Sequence, residues 1–122
     1  MARLFLFLFI GHLIGDFVLQ TNEMINSKID DYFILLLHSL IYSVVVTVMA
    51  LNVTMAFTPL LLIFLIVLGV HILLDMRKLT GYIIKLIHKD ELPFWITVVI
   101  DQSFHIIVLI IISELLVGGG LI

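Results

Sequence analysis

Residues 59–76 have the sequence PLLLIFLIVLGVHILLDM, and this stretch decides the fold class of the chain. Its only strongly polar residues are His71 and Asp75, and as a helix it is long enough to cross the roughly 30 Å hydrocarbon core of a bilayer. That core offers no water to backbone N–H and C=O groups, so a helix, which pairs these groups internally, is the expected structure. The stretch therefore predicts a transmembrane helix.

Three further stretches are similarly apolar, so that the predicted spans cover about residues 4–20, 32–51, 59–76 and 94–117. Of the 122 residues, 63% are hydrophobic and 12% are charged, which leaves too little polar surface for a soluble domain of this size. The first apolar run lacks a small-x-small cleavage site, and we expect it to be retained as a span. We predict an all-α fold in which residues 1–122 form a single integral membrane domain, a four-helix transmembrane bundle.

The loops between the spans predict a surface helix and the orientation of the chain in the membrane. Between spans three and four, apolar residues recur at helical spacing beside lysines, which predicts a short amphipathic interfacial helix; they are Tyr82, Ile83, Leu86 and Ile87. The positive-inside rule places the more basic loops in the cytoplasm and both termini outside. The basic side holds Lys28, Arg77, Lys78, Lys85 and Lys89, and the opposite side holds Arg3.

The composition narrows the location and the partners. We expect a bacterial cytoplasmic membrane protein in contact with membrane lipids. The chain contains no cysteine, which excludes disulfides and thiolate metal ligands. A net charge of −3 and the lack of a basic surface pattern argue against a nucleic-acid partner. A homo-oligomer stays open.

Three pairs of histidine and aspartate, each four residues apart, interrupt the spans: His12 and Asp16, His71 and Asp75, and, in reversed order, Asp101 and His105. An i, i+4 pair lies on one face of a helix. Spans one and three run in the same direction and span four runs the other way. The reversed order therefore puts all three aspartates on the cytoplasmic side of their histidines. Span two adds His38 at an overlapping depth, and we predict that the seven residues converge.

The free-energy cost of placing these residues in lipid indicates that they form a binding site. An aspartate at mid-membrane costs roughly 2.5–3.5 kcal/mol on insertion scales, so the three should face one another, water or a cation. Imidazoles and carboxylates are common ligands of zinc and also suit manganese or iron. We predict a divalent metal, with zinc as the expected ion, bound among His12, Asp16, His38, His71, Asp75 and His105.

These donors exceed the needs of one tetrahedral ion. Either some of them orient the ligating imidazoles, or two ions share the site. The first choice of ligands is His12, His71 and His105, completed by Asp75 or Asp16. A metal-free polar or proton network is the alternative.

Small and hydroxyl-bearing residues near the pairs predict helix packing. Gly11 and Gly15 form a G-x-x-x-G motif, which favours close approach of a neighbouring helix. Ser39, Tyr42 and Ser43 are predicted to make interhelical hydrogen bonds.

Four motifs carry a resemblance to a known family: GHLIGDFVLQ at 11–20, LHSL at 37–40, HILLD at 71–75 and DQSFH at 101–105. Together they resemble, over nearly the whole chain, a family of small bacterial integral membrane proteins (domain of unknown function 3307), whose name implies no activity. At motif level the chain is also similar to membrane-embedded metal-dependent hydrolases of the alkaline ceramidase-like superfamily, which hold zinc through His and Asp on transmembrane helices. That likeness implies a hydrolase by analogy, since this chain is shorter than those proteins.

The predicted site favours a metal-dependent hydrolase that acts near the cytoplasmic leaflet on a lipid or another membrane-associated substrate. Asp101 is the candidate catalytic acid–base residue, which takes a proton from the nucleophilic water and returns it to the leaving group. Two alternatives stay open. One is a small cation- or proton-coupled transporter or channel, because intramembrane aspartates and histidines mark ion pathways. The other is a non-catalytic membrane adaptor clamped by the metal.

Overall fold

A computed structural model describes residues 1–27, 31–76, 78–87 and 92–122, with the backbone alone for residues 25–27 and 78–80. Every regular element in these ranges is a helix, and the predicted all-α class is confirmed for them. In chain order the helices are α1 (Ala2–Leu13), α2 (Asn22–Ser27), α3 (Tyr32–Ala50), α4 (Phe57–Asp75), α5 (Lys78–Ile87) and α6 (Phe94–Gly118). A π-helical turn, Ile14–Val18, follows α1 directly.

Three of the described helices are long and apolar enough to cross a membrane: α3 and α4 with 19 residues each, and α6 with 25. Three of the four predicted spans therefore correspond to helices that could cross a membrane. The first predicted span has a different form, because the 12 residues of α1 pass into the 5-residue π-helical turn. The count of four spans stays a prediction.

The long helices enclose a shared interior. Helix α1 packs along α3, α3 packs along α4, and α6 contacts both α1 and α4. The short helix α2 lies against α3, and α5 lies against α4 and α6. The outward faces are apolar, with exposed side chains such as Leu6, Leu36, Val48, Leu65 and Ile111. An apolar exterior around buried charged residues is the reverse of a soluble protein and suits a lipid environment.

The interior is divided along the helix axes into two halves. One half, called here the apolar half, is built from the residues Leu4, Leu8, Val46, Ala50, Ile63, Val67, Leu109, Ile112 and Leu116. The other, called here the polar half, holds the residues His12, Asp16, His38, His71, Asp75, Asp101 and His105, all of them buried. The division arises because α1 and α4 carry their polar residues near the C-terminal end, whereas α3 and α6 carry theirs in the N-terminal half.

The two glycines of the G-x-x-x-G motif allow α1 to approach α3, as predicted. A Cβ atom built on Gly11 lies 2.8 Å from the Cα of Val46, and one built on Gly15 lies 2.7 Å from Cδ2 of Tyr42. Contacts this short leave no room for a side chain. The motif therefore sets the spacing of the two helices beside the polar half.

Local sequence signals explain where two of the helices begin. Asp31 caps α3, because its Oδ1 accepts a hydrogen bond of 2.8 Å from the backbone N–H of Phe33. Pro93 precedes α6, where its missing N–H costs no helical hydrogen bond.

Helix α5 is amphipathic, as predicted, and its interfacial position stays a prediction. Of the residues that predicted the orientation, Lys28, Arg77 and Lys89 lie outside the described residues.

Candidate metal centre

The seven predicted site residues meet in the polar half. His12 lies at the end of α1 and Asp16 in the π-helical turn that follows. The remaining five come from three helices: His38 on α3, His71 and Asp75 on α4, and Asp101 and His105 on α6. None of the seven is more than 6% exposed. The described helices therefore bring the polar residues into one half of the interior, and their depth in a membrane stays a prediction.

Four donor atoms lie close together: Asp16 Oδ1, His38 Nε2, His71 Nε2 and Asp75 Oδ2. The Nε2 atom of His38 lies 3.1 Å from Asp16 Oδ1, 3.2 Å from Asp75 Oδ2 and 3.1 Å from His71 Nε2. His71 Nε2 lies 3.6 Å from Asp16 Oδ1 and 3.3 Å from Asp75 Oδ2. A tetrahedral ion with bonds of about 2.0–2.1 Å has its ligand atoms about 3.3 Å apart. These five distances within the group, called here the donor tetrahedron, are close to that spacing.

The second oxygen of each carboxylate has different neighbours. Asp75 Oδ1 lies 3.6 Å from His105 Nε2. Asp16 Oδ2 lies 3.7 Å from His12 Nδ1 and accepts a hydrogen bond of 3.4 Å from the Gln102 side-chain amide. Each aspartate thus connects the donor tetrahedron to a second set of side chains on α1 and α6.

Asp16 owes its position to the π-helical turn. The backbone N–H of Leu19 donates to the carbonyl of Ile14 over 2.9 Å, five residues back instead of four. The wider turn changes the direction of the residues it carries, and such turns are common at functional sites. Apolar periodicity does not distinguish a π-helical turn from an α-helix, so the sequence alone did not reveal it.

Tyr42 is an additional member of the site. A hydrogen bond of 3.0 Å joins its hydroxyl to Nδ1 of His12, so the predicted interhelical bond is confirmed. Its ring also stacks on the His71 imidazole, with a centroid distance of 3.7 Å and an interplanar angle of 12°. This stack was not predicted. A signal for it was present, because Tyr42 follows His38 by four residues, the spacing of the three His–Asp pairs.

The serines differ from the prediction. The hydroxyl of Ser39 donates to the carbonyl of Leu35 over 2.8 Å, and that of Ser43 donates to the carbonyl of Ser39 over 2.7 Å. Both bonds lie within α3, so the predicted interhelical bonds of these serines are wrong. A buried serine in a helix can satisfy its hydroxyl on the carbonyl four residues earlier without a partner helix. Gln102, which was not predicted, contacts Asp16 instead.

His105 has the protonation pattern of a metal ligand. Its Nδ1 donates to the backbone carbonyl of Asp101 over 3.0 Å, since a carbonyl oxygen can only accept. In the neutral ring Nε2 is then an unprotonated acceptor. This Nε2 is buried and makes no hydrogen bond to any described residue. A hydrogen-bonded Nδ1 with a free Nε2 lone pair is the form in which imidazoles commonly bind metals.

Two groups of described residues have donors close enough to hold a metal ion: Asp16, His38 and His71, and His71, Asp75 and His105. Asp101 belongs to neither group, although it is buried beside them. Its predicted acid–base role stays a prediction. His12 is paired with Tyr42, which does not favour it as a principal ligand.

A small crevice between α4 and α6 reaches the site. His71, His105 and Tyr42 lie on its inner side, and its other walls are apolar, with Val67, Val70, Leu74, Val108 and Leu109. Its volume of about 10 Å³ is close to the minimum for one water molecule. The crevice therefore has room for one water-sized group beside two of the histidines.

The comparisons with known proteins give one match. The family model described as "Protein of unknown function (DUF3307)" matches residues 4–120, a range that includes all seven predicted site residues. No curated protein and no solved structure matches the chain significantly.

Proposed function

The chain belongs to the DUF3307 family of proteins of unknown function, and from its site we propose that it is a membrane-embedded, metal-dependent hydrolase of a lipid or another membrane-associated substrate. One observation carries the proposal. Asp16, His38, His71 and Asp75 bring four donor atoms together inside an apolar bundle, and the two histidine nitrogens lie 3.1–3.6 Å from each other and from both carboxylates. Burying two carboxylates without a cation is costly, and a divalent ion removes that cost.

We assign the donor tetrahedron as the ligand set of a divalent ion. The sequence favoured His12, His71 and His105, but the donor spacing favours His38 and both aspartates beside His71. Two imidazoles and two carboxylates suit zinc and are also compatible with manganese or iron. The Nε2 of His105, which is buried and makes no hydrogen bond to any described residue, supports a metal near this position as well.

A bound ion would supply Lewis-acid activation of a water and of a substrate carbonyl or phosphoryl oxygen. The residues of the chain have the other roles. His38 and His71 would hold the ion, and the apolar walls of the crevice would exclude bulk water. The Asp101 carboxylate is proposed to take the proton of the attacking water and return it to the leaving group. Its backbone carbonyl holds His105 through the 3.0 Å hydrogen bond.

The surroundings of the crevice support a substrate that arrives from the lipid phase. The crevice lies between two helices long enough to span a membrane, and its walls are apolar apart from the site residues. We propose that α1 and its π-helical turn complete a four-span bundle in a bacterial cytoplasmic membrane. Residues 2–18 would span about 25 Å as a helix, and their outward residues Leu6 and Phe17 are apolar and exposed. The site would then lie in the cytoplasmic half.

The decisive experiment combines metal analysis with turnover. The full chain, purified in detergent, is expected to contain divalent metal and to hydrolyse members of a panel of ester, amide and phosphate lipids. Chelation should abolish turnover, and adding back the metal should restore it. Asp101→Asn should keep the metal and lose turnover. Ser113→Ala, which removes a hydroxyl bonded within α6 outside the site, is the matched control. Bound metal without turnover on the whole panel would contradict the proposal.

One observation favours a second function, that of a structural clamp. The donor tetrahedron alone can fill all four positions of a tetrahedral ion, as closed structural zinc sites do. A clamp predicts that chelation unfolds the bundle and that no turnover exists to be lost. Uptake of divalent metal into proteoliposomes would instead identify a transporter.

A further inference from the structure

We infer that the site holds two divalent ions, and that Asp75 bridges them through the two oxygens of its carboxylate. This inference rests on the proposed metal and extends it. The donor tetrahedron binds the first ion. Asp75 Oδ1 and His105 Nε2 bind the second, within the second group of donors close enough to hold an ion, that of His71, Asp75 and His105.

Asp75 gives the clearest evidence for a bridge. Its Oδ2 lies 3.2 Å from His38 Nε2 and 3.3 Å from His71 Nε2, within the donor tetrahedron. Its Oδ1 lies 3.6 Å from His105 Nε2, on the other side of the carboxylate. One carboxylate therefore faces imidazole nitrogens from three helices with both of its oxygens. Sites with two ions about 3.5–4 Å apart are common among hydrolytic enzymes, and a carboxylate is wide enough to contact both.

Asp16 contacts the first position alone. Its Oδ1 lies 3.1 Å from His38 Nε2, whereas its Oδ2 has His12 and Gln102 as neighbours. Gln102 donates to this oxygen over 3.4 Å, which fixes the orientation of the carboxylate. Asp16 is therefore a ligand of the first ion, and Asp75 is the bridge.

His105 gives independent evidence for a second metal position. It is 3% exposed, its Nδ1 donates to a carbonyl, and its Nε2 makes no hydrogen bond to any described residue. A buried imidazole nitrogen without a hydrogen bond is costly. A cation bound between this nitrogen and Asp75 Oδ1 removes that cost.

The second position lies beside the crevice. Asp75 and His105 give it fewer protein donors than the first position has, and an ion with fewer protein ligands keeps a position for water or substrate. His105 lines the crevice between α4 and α6. A water or a substrate oxygen in the crevice can therefore reach the second ion.

The test is the number of ions bound by the full-length protein in detergent. Metal-depleted protein is titrated with zinc by calorimetry, and the metal content of the dialysed protein is then measured by mass spectrometry. We expect two ions per chain, bound in two steps. The manganese-loaded protein should show the electron paramagnetic resonance signal of a coupled pair, which a single ion cannot give.

A pair of variants separates the two positions. His105→Gln should lower the content from two ions per chain to one and abolish the coupled signal, while His38→Gln should weaken the first binding step. Ser113→Ala, on the same helix as His105, should keep both ions. Circular dichroism and gel filtration report whether each variant is folded. If His105→Gln does not fold, the two-step titration of the unmodified protein decides alone.

The outcomes distinguish this inference from the proposed function. One ion per chain at saturation, with turnover lost on chelation, overturns the two-ion site and leaves the hydrolase intact. No bound metal overturns both. Two ions that persist in His105→Gln without loss of the coupled signal overturn the assignment of the second position.

Discussion

The two halves of the interior differ in what holds them together, although the same helices form both. In the apolar half, residues such as Leu8, Val46 and Ile63 are fully buried among other hydrophobic side chains. In the polar half, each buried imidazole or carboxylate needs a specific partner, and small displacements break these contacts. An apolar bundle gains no stability from buried charges that hydrophobic residues could not provide at lower cost. The polar half is therefore best explained by function.

The largest effect is expected for Asp75→Asn, because this carboxylate contacts histidines with both of its oxygens. The amide cannot supply the charge or both acceptor oxygens. Loss of a residue that merely orients a ligand costs 10- to 100-fold in metal affinity or activity, so we expect a loss of at least about 100-fold here. Metal content and turnover measure it. Metal binding equal to that of the unmodified protein would show that Asp75 is not a ligand.

Gly15→Ala should produce the next largest effect, because it moves Tyr42 and with it the helix spacing beside the site. The new Cβ atom would lie 2.7 Å from the Tyr42 ring and 3.3 Å from its Cα. Overpacking of this kind costs about 1–3 kcal/mol of stability, and the displaced ring should also weaken metal binding. Thermal unfolding and metal titration measure the two effects.

Gly69→Ala is the matched control for that variant. A Cβ atom on Gly69 meets nothing within 4 Å, and alanine is a better helix former by about 1 kcal/mol. We expect an unchanged or slightly raised unfolding temperature with full metal content. Equal destabilisation by both variants would contradict the specific packing of α1 on α3.

Tyr42→Phe should have a smaller effect. It removes the hydroxyl bonded to His12 at 3.0 Å but keeps the ring stacked on His71. Loss of one such bond costs about 1 kcal/mol, and we expect a decrease in metal affinity of about 10-fold, at the low end for a residue that orients a site. Tyr42→Leu, which also removes the stack, should be worse. If the two variants behave alike, the stacking of the ring on His71 contributes nothing.

The smallest effect on the site is expected for Ile63→Val in the apolar half. Removing one methylene from this fully buried side chain should cost about 0.5–1.5 kcal/mol. Metal content and turnover should not change, because the residue contacts neither ligand group. A loss of metal in this variant would show that the two halves are coupled rather than independent.

Much of the architecture follows from the sequence. The apolar stretches around residues 32–51, 59–76 and 94–117 predict α3, α4 and α6, because length and hydropathy are local properties. The reversed order of Asp101 and His105 predicts the shared depth of the polar residues, because consecutive spans alternate in direction. The G-x-x-x-G motif predicts the close approach of α1 to a neighbouring helix, because glycine has no side chain and this property is known from the sequence alone.

Only the tertiary structure decided which donor atoms share a site. The four-residue spacing of His12 and Asp16 predicts that they lie on the same helix face. Which atoms from different helices meet depends instead on the rotation of each helix and on the side-chain rotamers. These degrees of freedom pair His12 with Tyr42, bring His38 between two carboxylates, and turn opposite oxygens of Asp75 to different histidines. The π-helical turn that carries Asp16 has the same origin, because packing and not apolar periodicity selects it over an α-helical turn.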